Sequence, residues 1–325
     1  MRGRRGRRSP AGPPRPYGTY VRTLVTGVSG YVGAALAPAL LDAGHAVRGF
    51  ARDPGRVTVP GIPLVRGDAL TGAGLDAALE GIDVAYYLIH SMEAAAQDGF
   101  AASERRATET FLGAARRAGV SRIVYLGGLV PPGAAPSPHL ASRLAVEREV
   151  LAGIPDSIAL RASIVIGARS RSFRFLVRLV ERLPVLALPA WHERRTQPID
   201  GRDVIAFLVA AVDSEEAGGG SFDIAGPEVL TYGAIIERVR DLMLLDRPTL
   251  RLDALTLTPV ASRVAAAIAG EDHALIGPLM AGLEHDLLPR DGTAARVLGV
   301  RLHSFDAAVE RALRDWERAE RLAAR

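Results

Sequence analysis

The amino-acid sequence predicts an α/β fold: a doubly wound parallel sheet followed by a smaller mixed, mainly helical C-terminal lobe. Three observations predict it. Strand-like and helix-like segments alternate from about residue 20 to residue 165. A glycine-rich loop stands between the first strand and the first helix. The 325 residues, 48% of them hydrophobic, supply enough apolar surface for a sizeable core.

Each element follows from its own pattern. Residues 21–26 are an apolar run ending at glycine, and residues 31–43 are apolar and alanine-rich, as a helix requires. Residues 46–50 read as a second strand, closed by the turn Asp53-Pro54-Gly55. A strand at 62–66, a short helix at 74–80 and a buried strand at 83–89 come next. Residues 99–118 have helical periodicity and stop at Gly119; 122–126 is a strand running into Gly127-Gly128. A helix at 138–151 and a strand at 157–166 complete the alternation. The second part is more mixed. Helices are expected at 172–183, 203–212, 232–244, 259–269, 274–287 and 304–323, with a strand at 221–225.

Composition excludes several kinds of chemistry. There is no cysteine, so disulfides, thiolate nucleophiles and cysteine-held metals are ruled out. All 40 residues counted as Lys+Arg are arginine, which removes any Schiff-base or phosphate-loop lysine. The charge is uneven. Arg2, Arg4, Arg5, Arg7, Arg8 and Arg15 precede residue 20 with no acid among them, leaving 34 Arg against 36 acids beyond it. Residues 1–19 are therefore expected to be a disordered Arg/Pro/Gly-rich tail, an anionic-surface arm being the alternative. No aromatic residues interleave the arginines as base stacking requires, so no nucleic-acid partner is expected. No apolar targeting core follows the tail, and no eighteen-residue uncharged apolar run is found. A cytoplasmic monomer or homodimer without a membrane span is expected.

The most informative stretch is Thr26-Gly27-Val28-Ser29-Gly30-Tyr31-Val32-Gly33, which reads TGxxGxxG. It follows a strand and opens a helix, the context in which such glycines hold a dinucleotide. Gly27 makes the tight turn, Gly30 lets the backbone approach a pyrophosphate, and Gly33 permits close helix–strand packing. The free N–H groups and dipole of the helix N-terminus favour the anion. A glycine turn without a ligand is the bland alternative.

With these residues in hand, the chain resembles the extended or atypical short-chain dehydrogenase/reductase superfamily. The similarity continues through Gly44-His45-Ala46-Val47, Val65-Arg66-Gly67-Asp68, Arg122–Gly128 and the RASIVIG segment at 161–167, and covers about residues 20–300. Tyr87-Leu88-Ile89-His90-Ser91-Met92 points to an atypical, NmrA-like or epimerase-like subgroup. The resemblance implies a Rossmann-type NAD(P)-binding domain at 20–166. It also implies a substrate lobe at 167–325, interleaved with the last Rossmann elements. Cofactor-binding candidates are Gly27, Ser29, Gly30, Tyr31, Val32, Gly33, Arg52, Asp68, Ala69 and Leu88. An acid that would grip the ribose 2′-hydroxyl of NAD is replaced by Ala51, and Arg52 follows it. NADP(H) is therefore preferred, with NAD(H) possible, unless Arg52 is merely a solvated loop residue. Asp53 reads as a turn former.

The catalytic pattern of that superfamily is absent. The Ser/Thr position falls in Gly127-Gly128, and the usual Tyr-xxx-Lys register reads His139-Leu140-Ala141-Ser142-Arg143. His139 with Arg143 forms one candidate pair, acting as acid or base and ribose holder, and a decayed site is the alternative. His90 and Ser91 form a second candidate just past the fourth strand; a loop histidine and a cap serine explain them equally. Arg169, Arg171 and Arg174 form either an anion-binding group or a solvated helix face. His192, His273, His285 and His303 lack metal-ligand spacing, so no metal is expected. These readings lead to an NADPH-dependent oxidoreductase acting on a small carbonyl or activated alkene. The alternatives are a non-catalytic redox sensor or assembly protein and, more weakly, a nucleotide-sugar epimerase or dehydratase.

Overall fold

The computed structural model describes residues 20–89, 100–131, 133, 136–252, 283 and 285–320. Among the described residues, seven strands form one all-parallel sheet. They are β1 (Arg22–Thr26), β2 (Ala46–Ala51), β3 (Leu64–Arg66), β4 (Val84–Tyr87), β5 (Arg122–Gly128), β6 (Ile158–Ala162) and β11 (Ser221–Ile224). Their spatial order is β3-β2-β1-β4-β5-β6-β11, with the reversal point between β1 and β4. A crevice opens beyond the carboxyl ends of the strands at such a point.

Helices cover both faces because each carries one apolar stripe. α1 (Tyr31–Asp42) buries Gly33, Leu36, Ala37 and Leu40, the i, i+3, i+4, i+7 spacing of a single helix face. It shares its side of the sheet with α6 (Gly201–Ala210), whose Val204, Phe207 and Leu208 join the same core. The opposite face is covered by α2 (Leu75–Leu79), α3 (Phe100–Arg117) and α4 (Pro138–Gly153), which enclose Phe50, Tyr87, Phe111 and Tyr125.

The second lobe has its own core. α5 (Arg171–Arg182), α7 (Tyr232–Leu242) and α9 (Phe305–Glu317) pack around Phe173, Val177, Ile236, Val309 and Trp316. Three small strand pairs brace it. β7 (Val165–Ile166) runs parallel to β10 (Ile199–Asp200), and β8 (Leu186–Pro189) parallel to β13 (Thr249–Leu252). β9 (Arg195–Thr196) is antiparallel to β12 (Leu230–Thr231). The short α8 (Thr293–Val297) returns to the main sheet and buries Ala294 beside it.

Three expectations change. The single strand expected at 157–166 is broken after Ala162: Ser163 N–H closes the β6–β11 ladder on Ile224 O, and Val165–Ile166 leaves to pair with β10. The helix expected at 203–212 begins two residues earlier, since Asp200 caps it by accepting from Arg202 N–H at 2.8 Å. The end of the helix expected at 274–287 is not helical, as Leu287 bridges to Thr196 instead; most of that segment and all of 259–269 lie outside the described residues. No described helix is long and apolar enough to cross a membrane.

α7 ends in a Schellman motif whose left-handed position is a leucine. Leu244 has φ +56 and is 85% exposed, with Leu244 N–H bonded to Asp241 O and Leu245 N–H to Arg240 O. A β-carbon is strained there and this side chain buries little. Leu244→Gly should therefore stabilise the protein by about 0.5–1 kcal/mol, read as a higher melting temperature. A lower melting temperature would show that Leu244 packs against something that offsets the strain.

Candidate functional site

The phosphate loop is built by sewing β1 to β4. Buried Thr26 donates its hydroxyl to Tyr86 O at 2.8 Å and accepts from Leu88 N–H at 3.0 Å. That pair fixes the carboxyl ends of two strands in register just before the loop. Gly27 then turns with φ +63, and an added Cβ would lie 2.8 Å from Leu88 O. Gly30 N–H bonds back to Gly27 O at 2.9 Å and Gly30 caps α1. At Gly33 an added Cβ would strike the Gly27 carbonyl and lie 2.9 Å from Val28 Cα. The first turn of α1 holds no acid, and Gly30 offers no side-chain cap. Its N–H groups are thus left for an outside acceptor. The residues fit a dinucleotide pyrophosphate.

Not every candidate in this loop faces that way. Val32 packs its side chain on the core. Tyr31 sends its ring to the junction with the second lobe, where its hydroxyl is lodged against Gly167 and Gly201. Burial there, reinforced by the Asp200 carboxylate, pushes the phenol up to about 12. Only the backbone of Tyr31 remains with the loop. Ser29 is half-buried within it.

Beyond β2, Ala51 is buried and Arg52 is exposed. Asp53 accepts from Gly55 N–H at 3.0 Å, so its carboxylate caps a turn. Arg48 is committed elsewhere: its Nη1 donates to the carbonyls of Ala77, Ala78 and Glu80 at the end of α2. Past β3, Asp68 accepts from Leu70 N–H at 2.8 Å and Ala69 is buried in the core. Leu88 backs the loop through its carbonyl.

At the other end of the crevice β5 runs out in Gly127-Gly128, so no hydroxyl stands where the superfamily has one. A Cβ on Gly128 would lie 3.2 Å from Leu140 Cδ2, which places the first turn of α4 beside the end of β5. Ser137 caps that turn from Leu140 N–H. His139 is half-buried in it. Desolvation, with the nearby Arg143 charge, lowers its imidazole to about 4. The ring is neutral at ordinary pH, a hydrogen-bond donor at one nitrogen and an acceptor at the other.

Arg143 lies one turn further on and is only 8% exposed. Its Nε is 3.9 Å from Glu104 Oε1 on α3. Glu104 itself is 3% exposed and accepts the Ser142 hydroxyl. Tyr125 donates its hydroxyl to the Arg143 carbonyl at 3.2 Å, and Tyr87 shares a 3.2 Å contact with Thr108. The expected ribose-holding arginine is therefore anchored on the α3 side by an acid that sequence reading did not single out. The signal was present: Glu104 falls on the apolar stripe with Ala107 and Phe111. His90 and Ser91 lie outside the described residues.

The arginine group of the second lobe divides. Arg174 and Arg178 stack on Trp316, at 4.3 and 5.0 Å from the ring centre, and both reach Glu320. Arg174 thus clasps α5 to α9 rather than facing a ligand, while Arg169 is exposed. His192 is buried with Nδ1 3.0 Å from Pro189 O, and His303 pairs with Asp203 at 2.5 Å. His285 is exposed, and His273 is outside the described residues.

Glycine loop, parallel sheet and reversal point together define a Rossmann-type fold, the fold that short-chain dehydrogenases/reductases and epimerases share. The sequence holds no lysine, so the Tyr/Lys pair is absent from it. Residues 27–147 match a family described as NAD(P)H-binding. A 3 beta-hydroxysteroid dehydrogenase/Delta 5→4-isomerase of Mycobacterium tuberculosis is 40% identical over 114 residues. That match takes in 32% of this chain and spans 30% of the relative's length. A (4-alkanoyl-5-oxo-2,5-dihydrofuran-3-yl)methyl phosphate reductase of Streptomyces griseus is 29% identical over 217 residues, 64% of this chain and 69% of that protein. Among solved structures, a short-chain dehydrogenase/reductase superfamily protein from Agrobacterium tumefaciens with bound NAD superposes with a TM-score of 0.66 at 20% identity. The superposition covers 91% of this chain and 98% of that one.

Proposed function

We propose that this chain is an NADPH-dependent oxidoreductase that reduces a small activated alkene, with a simple carbonyl as the related substrate class. The observation that carries this reading is the reach of the Streptomyces match, which spans 217 residues and extends beyond the dinucleotide half. The substrate in that reductase's name is a dihydrofuranone, an alkene conjugated to carbonyl groups. The dinucleotide supplies the hydride when bound. The residues of this chain have to hold the negative charge that appears on the substrate oxygen. A neutral His139 suits that task, since its N–H donates to the oxygen without surrendering a proton. The C=C π bond gives way to two C–H bonds, one from the transferred hydride and one from a proton that the enolate takes at carbon from water, which leaves as hydroxide, so the balance closes. An alkoxide from an isolated carbonyl needs a stronger acid close by, which an imidazole held near 4 does not supply.

The test is a screen of enones, unsaturated lactones and saturated ketones for loss of NADPH absorbance. Turnover of the conjugated compounds ahead of the saturated ones supports the reading. The missing Tyr/Lys pair favours a second reading, a non-catalytic NAD(P)H-binding sensor or assembly protein. Tight NADPH binding with no reduction across the screen replaces the first reading by the second.

The preference for NADPH rests on Ala51, which adds no carboxylate to repel a 2′-phosphate, and on the exposed Arg52 guanidinium beside it. The phosphate-loop backbone from Gly27 to Gly33 serves both dinucleotides alike. Arg52→Ala should weaken NADPH by roughly tenfold or more and leave NADH nearly unchanged, because the lost bond is charge-assisted. Fluorescence titration of both dinucleotides checks this, and equal affinities in the parent protein would remove Arg52 from the site.

A further inference from the structure

We propose that Glu104 is a positioning residue for the candidate site, acting through Arg143 and Ser142 to set the first turns of α4 and the charge beside His139. This rests on the reading of His139 given above. Three observations carry it. Glu104 is 3% exposed, yet it stands on the face of α3 that otherwise buries Ala107 and Phe111. Its two oxygens go to successive residues of one helix: Oε2 accepts the Ser142 hydroxyl, and Oε1 faces Arg143 Nε. The far side of the same turn is held from the sheet, where Tyr125 donates to the Arg143 carbonyl.

A stable α3–α4 contact does not require this arrangement. Arginine cannot shed its charge, so burying it obliges the protein to bury a carboxylate as well. Apolar side chains of the same volume hold helices together at least as well. What the pair does achieve is a fixed cation one helical turn from His139, on the same face. Among the described residues, the charged and titratable groups around that turn include Arg143 and Glu147 on α4, Glu104 on α3, Tyr125 on β5 and Tyr87 on β4, with Glu147 paired to Arg161 of β6 at 2.7 Å. Both phenols are raised by burial and stay neutral. Burial is the first cause of the low His139 imidazole and the Arg143 charge the second, and Glu104 is the carboxylate that faces that charge from α3.

The experiment uses the full chain with Glu104→Gln, Arg143→Met and the two together. Each single change breaks the buried Glu104–Arg143 pair and lowers the melting temperature by several degrees. The double variant recovers the parent melting temperature. The His139 titration, followed by NMR and assigned with His139→Asn, moves differently. It rises from about 4 toward the ordinary 6.5 in Arg143→Met and in the double variant, and drops or stays low in Glu104→Gln. With a substrate in hand, the double variant loses roughly tenfold in kcat. An unchanged His139 titration in all three variants overturns the proposal, as does a double variant that restores stability, titration and kcat together. Absence of any turnover counts against the proposed function alone, because melting and titration are read without substrate.

Discussion

Gly33→Ala is expected to abolish dinucleotide binding at ordinary concentrations and to destabilise the chain by roughly 1–3 kcal/mol, the usual cost of overpacking. The new methyl would strike the Gly27 carbonyl and sit 2.9 Å from both Gly27 C and Val28 Cα. These are backbone atoms, so no side-chain rotation relieves the contact. Gly27 cannot retreat, because its own Cα direction already faces Leu88 O, and Thr26 holds β1 to β4 on the other side. Relief comes only if the first turn of α1 lifts away. That displaces the N–H groups proposed to hold the pyrophosphate and loosens Leu36, Ala37 and Leu40. Gly44→Ala is the control. Gly44 has φ +87 but nothing within 4 Å of an added Cβ, so its cost is local strain and NADPH affinity is retained. Thermal melts and fluorescence titration of both variants read the contrast. Parent-like NADPH affinity in Gly33→Ala would mean that the pyrophosphate does not sit on this helix.

The phosphate loop was legible because its physics is local. A turn, a helix N-terminus and a close approach all lie within eight consecutive residues, and glycine is what each requires. The order of strands and helices to β5 was legible for the same reason, as each apolar run carries its own period. What could not be read depends on distant partners. The run Ser163-Ile164-Val165-Ile166 looks like continued strand, and only Ile199, far along the chain, draws its end away from the main sheet. Arg143 looked like a surface residue or a ribose ligand because its acid lies on another helix; Glu104 and Ser142 are 38 residues apart. Tyr31 belonged to the glycine pattern by position. Its side chain left for the lobe junction because Gly167 and Gly201, both well beyond the loop, provide the space. The seventh strand, Ser221–Ile224, was legible as a strand at 221–225; only its pairing with β6 depends on a distant partner.

His139→Ala should lower kcat by about 10²–10³ with NADPH affinity almost intact, because a donor to a developing oxyanion acts in the transition state. The pH dependence distinguishes this role from acid catalysis. An imidazolium donor of ordinary pKa would lose activity as pH rises through about 6.5. A neutral imidazole held near 4 keeps the same form above that value, so the parent kcat should show no histidine limb between about pH 5 and 8. Stability carries the same signature with the opposite variant behaviour. The unfolded chain binds a proton on this histidine near 6.5 and the folded chain only near 4. The unfolded state therefore holds more protons inside that window, and stability falls as pH drops through it. His139→Ala removes this contribution, so its melting temperature should decline less than the parent's on acidification from about pH 7 to pH 4. A parent kcat profile with a limb near 6.5, abolished in His139→Ala, would instead make His139 a proton donor. It would also move the favoured substrate from the conjugated alkene to the carbonyl.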